Sequence, residues 1–493
     1  MSTRLSKSRF QKGLQCEKAL WLAVHAPQLA DQVSEARQWI FDQGAEVGRL
    51  AHGLVPGGVE VTEDHLHAEQ ALQTTARLLA EGASVLYEPA LRFDNILVRV
   101  DILAHAGDGT WDLYEVKSSA SLKPEHVTDA AVQTYVAQGA GLRVRRSLIV
   151  RLDRSYVYDG GEHDPRRLFA VEDITADVRE FLPQVPEILA RFRTMLAGPE
   201  PPIRIGARCR TPYECDFSAH CHAALSCEHP VTGLPFLSDR TLNALLDLGV
   251  LSIRDIPEGF PMLSANQNAI ARVVKSGLPR VDTDGLARQL GALAWPVYHL
   301  DFETVMPALP LWPGMRPYQM APFQYSVHVH REDGSCEHRE YLHSDTSDPR
   351  RPLAERLLAD LGDSGSVIHY TSFERKRLVE LAEALPDLAE AFSAVISRLV
   401  DLEPIIKRHT LHPATSGRTS IKAVLPAWCP DLSYDGLAIG DGNTASVRYL
   451  RSLKEPLPPD ETERLHADLR EYCGLDTLAM VHLLETLRAH ARR

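Results

Sequence analysis

The chain has 493 residues, of which 44% are hydrophobic and 24% charged, and carries a formal net charge of −13. This composition is that of an ordinary globular protein with two or three domains. It excludes a bilayer-spanning run and argues against a surface coated for non-specific nucleic-acid binding. The N-terminus has basic residues but neither an apolar h-region nor a small-residue cleavage site, so the expectation is a cytoplasmic protein with no membrane partner.

Residues 1–30 run from Leu5-Ser-Lys-Ser-Arg-Phe10 to Cys16-Glu-Lys-Ala-Leu-Trp-Leu22, a helical pattern. Residues 31–52 stay in helical register, with Phe41, Gly44, Val47, Gly48 and Leu50 on or near one face, and a further helix is predicted at about 67–79. The pattern then changes. Residues 84–89, 96–103 and 111–117 are strand-like, with a Gly-Asp-Gly turn at 107–109. A helix is expected over about 124–138 and a strand over 145–152. Asp101 ends one strand, while Glu115 and Lys117 alternate on the next and share a face. Such carboxylates can hold a divalent ion, and the lysine can orient an attacking water and stabilise developing negative charge.

D-x13-E-x-K, formed by Asp101, Glu115 and Lys117, resembles the PD-(D/E)XK nuclease superfamily. Glu88 on the preceding strand and Gln133 on the following helix extend the likeness to its RecB-like branch. Tyr135 stands closer to Gln133 than the Q-x-x-x-Y of that branch, so only Gln133 carries over. His52, after Gly44 and Gly48, is the candidate for the early histidine of the branch. The resemblance implies Mg2+ or Mn2+ on Glu88, Asp101 and Glu115, with Lys117 and Gln133 as catalytic residues.

Eight cysteines in a chain read as cytoplasmic do not suggest a disulfide framework. Cys209, Cys215 and Cys221 cluster, and Cys16 lies far upstream. One cysteine before the nuclease motif and three after it resembles the iron-sulfur-bearing RecB-like exonucleases, among them the CRISPR-associated adaptation nucleases. The resemblance implies a 4Fe–4S cluster on these four thiolates, clipping the two ends of the domain together. C-x5-C-x5-C replaces the C-x2-C-x5-C of those relatives, which leaves Zn2+, and Cys227, His220 or His222 as ligands, as alternatives. Buried structural thiols are the plain account. Cys336, Cys429 and Cys473 receive no role.

Residues 228–295 read as a helical connector. The stretch Val297-Tyr-His-Leu-Asp-Phe-Glu-Thr304 then reads as a buried strand ending in Asp301 and Glu303, which point to one side. A Pro-rich loop, strands near 322–328 and 336–343, and alternating helices and strands follow. Glu374 comes after the apolar run Ser366-Val-Ile, and Asp401 at a predicted strand end is a reserve ligand. Lys422 lies near a helix N-terminus, placed to meet a phosphate, or there simply because Ser420 caps that helix. Tyr472 and Asp476 sit one turn apart on a helix near the C-terminus. Carboxylates gathered from a strand and a distant helix repel unless a cation lies between them.

D-x-E followed much later by Y-x-x-x-D resembles the DEDD exonucleases of RNase H-like fold. Their middle motif is usually Asn-x-x-Phe-Asp; here Glu374 stands for the Asp and no Asn precedes it. The resemblance implies Mg2+ or Mn2+ on Asp301, Glu303, Glu374 and Asp476, with Tyr472 positioning the attacking water through a lowered pKa or through hydrogen bonding alone.

The expected architecture is α/β. Residues 1–227 form a restriction-endonuclease-like (PD-(D/E)XK) domain, 228–295 a helical connector and 296–493 an RNase H-like domain, an arrangement similar to a bacterial family that fuses these two folds. The implied function is a metal-dependent nuclease in DNA repair, processing or defence. DNA is the implied partner, and the DEDD fold also permits RNA. The alternatives are a nucleic-acid-binding scaffold with inactive nuclease folds and a metal-thiolate redox sensor. Candidate phosphate-contacting patches are Arg143, Arg145 and Arg146; Arg204, Arg208 and Arg210; Arg375, Lys376 and Arg377; and Lys407 with Arg408.

Overall fold

In the first unit the two strand-like arms at 84–89 and 96–103 do not run straight. The computed structural model, which describes residues 5–492, shortens the first to Val85–Tyr87, adds a separate strand Ala90–Phe93 after it, and splits the second into Ile96–Arg99 and Ile102–His105. The outer pieces join a three-stranded sheet with Leu5–Ser6, and the inner pieces join a six-stranded one. Pro89 cannot donate to a ladder, so pairing must lapse there. Two backbone bonds staple the break, Glu88 N to Asp101 O at 3.1 Å and Val100 N to Pro89 O at 3.1 Å. Glu88 takes a left-handed φ of 56°. Glu88 and Asp101 therefore sit in a paired kink, not in and at the end of strands as the sequence suggests.

The six-stranded sheet runs Val59–Glu60, Val85–Tyr87, Ile102–His105, Trp111–Lys117, Val144–Leu152, Phe169–Asp173. Trp111–Lys117 and Val144–Leu152 pair in parallel, and helix Pro124–Gly139 makes the crossover between them. Its Pro124 sits in the first turn, where no amide partner is lost. The helix is buried on nearly every side, which is why it carries both apolar residues and Asp129 and Gln133 inward.

Met1–Ala224 is not the whole of this unit. Pro307–Gln319, which the sequence places in the C-terminal domain, groups with it instead. Ala308 and Leu309 pack with Val47, Ala51, Leu152 and Tyr156. Ala308 N donates to Gln43 Oε1 at 2.6 Å, and Tyr158 N to Met315 O at 2.9 Å.

The second unit is Leu225–Met306 with Met320–Arg493. Its five-stranded mixed sheet runs Cys336–Leu342, Ala321–His330, Val297–Val305, Ser366–His369, Leu399–Asp401. The first three strands are antiparallel, and the last two are parallel to Val297–Val305. Period-two alternation sorts the central strand. Tyr298, Leu300 and Phe302 enter a core with Leu353, Leu357 and Leu378. Val297 enters the opposite core, shared with Met480, Leu483 and Leu484 of the 33-residue helix Pro459–Ala491. The expected connector belongs to this unit: Arg280–Val281 pairs with Thr410–Leu411, and helix Ala265–Ser276 is closed by a Ser264/Gln267 capping box and a left-handed Gly277.

Candidate functional site

Asp301 and Glu303 lie on the Val297 side of their strand, the side that meets helix Pro459–Ala491. Oxygen atoms of both and Cys473 Sγ all lie within 4.8 Å of one another. Cys473 Sγ is 3.8 Å from Asp301 Oδ2. Asp476, one turn further along the helix, accepts from Tyr434 Oη at 2.5 Å. Glu374 opens helix Phe373–Ala384, is 2% exposed and lies close enough to Asp301 to raise its carboxyl. Its Oε2 lies 3.3 Å from His369 Nδ1 without making a hydrogen bond.

Burial pushes all four carboxyls up. Repulsion from Asp476 and Glu374 adds to it at Asp301, and repulsion from Asp301 and Asp476 adds to it at Glu303. Glu374 is raised to about 8. The Tyr434 hydrogen bond and the Lys422 charge offset part of the rise at Asp476. Four acids from three distant stretches of chain thus act on one another, Glu303, Glu374 and Asp476 buried and Asp301 half-buried, a donor set suited to hard divalent cations.

Tyr472 accepts from Lys422 Nζ at 3.2 Å, and the ammonium sits 5.0 Å from its ring centroid. Burial and the neighbouring carboxylates push the phenol up, so the lowered-pKa option is withdrawn and hydrogen bonding remains. Lys422 also donates to Gly440 O at 2.6 Å. Ser420 occupies the cap position of helix Ile421–Trp428 but makes no side-chain capping bond, so capping does not account for that segment. Asp401 Oδ1 accepts from Thr371 N at 2.9 Å and Glu403 N at 3.1 Å. It caps helix Leu402–His409 and holds the turn before Glu374.

The second cluster lies in the first unit. Glu115, 1% exposed, takes Lys7 Nζ at 2.8 Å and Lys117 Nζ at 2.6 Å on one oxygen and Gln133 Nε2 on the other. Lys117 also pairs with Asp129, which lies 3.9 Å from Lys7 and accepts from Gln11 at 3.4 Å. Asp101 Oδ2 accepts from Val116 N, and Glu88 lies 3.5 Å from Arg99 Nε. Burial pushes Glu115 up, but Lys117, Lys7 and Gln133 outweigh it and hold the carboxyl below the usual range. Burial raises Asp101, and the Glu115 charge adds to the rise. Burial also raises Glu88 and, with help from Lys117, lowers His126 to about 4. His52 stacks on Tyr87 at 3.9 Å between ring centroids, next to Glu88, and burial favours its neutral form. Tyr135 donates to Asp94 at 3.1 Å and takes no part in the cluster's bonds.

Sequence reasoning missed Lys7, Asp129, Tyr434 and Cys473. Asp129 was detectable, since it stands one helical turn before Gln133. Lys7 was not, because 108 residues separate it from Glu115. Lys7→Ala is expected to cost about 1.5–3 kcal/mol, the worth of a hydrogen bond to a charged group. Urea denaturation checks this, with Lys7→Arg retaining most of the stability.

Cys16, Cys209, Cys215 and Cys221 line one small cavity with Ala19, Ile205 and Phe217. Cys16 ends helix Lys7–Gln15 and opens helix Glu17–His25. Lys12 of helix Lys7–Gln15 and Arg37 of helix Glu35–Ala51 both pair with Asp216 and fasten the cysteine loop to these two helices. Burial raises the Cys215 and Cys221 thiols, and Cys16 and Cys209 are close enough to add to it. Sulfur is the donor type of iron-sulfur and zinc sites, and no three of these four thiols lie within 4.8 Å of one another. His220 and His222 do not line the cavity, and Cys227 belongs to the other unit, where it donates to Leu251 O at 3.5 Å. The basic run at 143–146 lies at the surface but is paired: Arg145 and Arg146 both bond the buried Asp112, and Arg143 bonds the carbonyls of Asp108 and Gly109.

Among known proteins, an uncharacterized protein, UU173, of Ureaplasma parvum serovar 3 is 24% identical over 208 residues in a match that covers 37% of this chain and 30% of that relative. A family model described as a domain of unknown function, DUF2779, matches residues 298–420. The matched span holds Asp301, Glu303 and Glu374 and stops before Lys422, Tyr472 and Asp476, so the likeness covers one wall of the carboxylate pocket and leaves the helix that completes it outside.

Proposed function

We propose that the chain is a divalent-metal-dependent nuclease acting on DNA, with one phosphodiester-hydrolysing centre in each unit. The convergence of Asp301, Glu303, Glu374 and Asp476 in one buried pocket carries this reading. The strand order of the second unit, with three antiparallel strands followed by two parallel ones, supports an RNase H-like assignment. The β-α-β crossover bearing Glu115, Lys117 and Gln133 supports a PD-(D/E)XK one.

Divalent ions, when bound, activate water and neutralise charge on the phosphate and leaving oxygens. Asp301, Glu303, Glu374 and Asp476 would hold them in the second unit, and Glu88, Asp101 and Glu115 in the first. The Tyr472 hydroxyl, fixed by Lys422, orients the attacking water. Lys117, anchored between Glu115 and Asp129, places its ammonium where charge develops on the scissile phosphate. Cys16, Cys209, Cys215 and Cys221 would hold an iron-sulfur cluster that ties residue 16 to the loop at 209–221.

The test is digestion of end-labelled single-stranded and duplex DNA, and of RNA, with Mg2+ or Mn2+. Wild type, Lys117→Ala, Asp301→Ala and the double variant are compared after anaerobic preparation. The expected result is two ladders, each altered by one single variant, and none from the double. Binding without cleavage in every lane would replace the nuclease with a nucleic-acid-binding scaffold.

A further inference from the structure

Cys473 stands out among the residues around the carboxylate pocket because an oxygen-only metal site has no use for it. It is fully buried, follows Tyr472 directly, and precedes Asp476 by three residues on the same helix. Its Sγ lies within 4.8 Å of ligand oxygens of both Asp301 and Glu303. Ligands bound at about 2.0–2.3 Å to one tetrahedral ion lie no further than that from each other. The neighbouring Glu374 is buried as well, its Oε2 makes no hydrogen bond and lies 3.3 Å from His369 Nδ1, and its charge helps to raise Asp301. Sulfur and carboxylate oxygens thus lie at ligand-to-ligand distance in one place.

We propose that Cys473 is a metal ligand, so that the Asp301–Glu303 position is a mixed oxygen–sulfur site that takes a borderline-soft divalent cation of the zinc or cobalt class in preference to Mg2+. Thiolate selects softer ions, whereas carboxylate alone suits Mg2+ and Mn2+. The inference rests on the metal-centre reading above and deepens it: Asp476 and Glu374, which have no sulfur partner in the triad, remain an oxygen-only position. Binding converts the Cys473 thiol to a thiolate and releases its proton to solvent, with no change of oxidation state.

The probes are Co2+ and Cd2+, titrated into the full chain and read by the thiolate-to-metal charge-transfer band as the difference between wild type and Cys473→Ser. The Cys16 cluster contributes equally to both proteins and cancels. The expected result is a difference band that saturates at one equivalent, with Co2+ affinity falling at least about tenfold in the variant, the scale of lost ligation-shell contacts. Mg2+ affinity should hold within about threefold, because carboxylates alone suit that ion. Cys473→Ala serves if the serine variant does not fold, and Asp301→Asn, which keeps the thiol, should also lose the band. Equal spectra and equal Co2+ affinity in wild type and both Cys473 variants, with binding still dependent on Asp301, would overturn the sulfur ligand and leave the metal centre standing. Absence of any Asp301-dependent ion binding would overturn both.

Discussion

Asp301→Asn is expected to raise the stability of the metal-free protein at pH 8 while removing cleavage by the second unit. The four carboxyls of its pocket have raised pKa values in the folded state, with Glu374 at about 8. The folded protein therefore keeps protons that the unfolded chain releases. Stability consequently falls as pH rises from the ordinary carboxylate range through about 8, and each unit of separation is worth ~1.4 kcal/mol. Asn removes one charge and the repulsion it exerts on Glu303, so the loss with pH should shrink by about 1–3 kcal/mol. Divalent ions should reverse the order, because binding stabilises only the folded protein that retains the ligand. Thermal melts at pH 5 and pH 8, with and without Mn2+, read both effects. Loss of metal-held charge in the reaction should lower the cleavage rate at least about a hundredfold, since such contacts supply several kcal/mol. A variant less stable than wild type in metal-free buffer at pH 8 would contradict the electrostatic account.

Glu115→Ala should do the opposite and destabilise the first unit by about 3–5 kcal/mol, the cost of breaking a buried ion pair. Here the cations are already built in. Lys7 and Lys117 both rest on one Glu115 oxygen, and Gln133 donates to the other. Alanine leaves two ammonium groups with Asp129 as their remaining close carboxylate in this cluster and strands the Gln133 amide, which is fully buried. Because Glu115 is held below its usual range, its contribution is present above the ordinary carboxylate pKa and is lost as pH falls beneath it. Chemical denaturation at pH 7 is the measurement. Glu115→Gln, which keeps the shape and loses the charge, should fall between wild type and alanine. The two centres thus answer the removal of one acid with opposite signs, because four acids gather around the single Lys422 charge in one and two lysines rest on one Glu115 oxygen in the other.

What was legible in the sequence follows the two short periods of protein structure. Asp301 and Glu303 were readable as a same-side pair on a strand, and Tyr472 and Asp476 as a same-face pair on a helix. Glu115, Lys117 and Gln133 were readable from their place in a strand-helix unit. Residues 96–103 looked like one strand because Val98, Val100 and Ile102 are all strand formers and no glycine or proline marks the break at Asp101. The proline that explains the kink lies on the other arm, at position 89. Tyr434 and Lys7 reach their sites only through tertiary packing, which has no periodic trace in the chain. Cys473 was in plain view beside Tyr472, but a thiol amid carboxylates matched no pattern.

The grouping of Pro307–Gln319 with the first unit bears on how the protein is made. Residues 1–224 leave the ribosome early, yet Ala308 and Leu309, which join Val47, Ala51 and Leu152 in one apolar cluster, follow more than eighty residues later. At synthesis rates of about 5–20 residues per second, that part of the core waits several seconds for its last pieces. During that interval an apolar face around helix Glu35–Ala51 stays uncovered, a window in which a chaperone or a neighbouring nascent chain competes for it. A fragment that stops at residue 224 stays in that unfinished state permanently, so expression of the first unit by itself needs residues 307–319 supplied on the same chain.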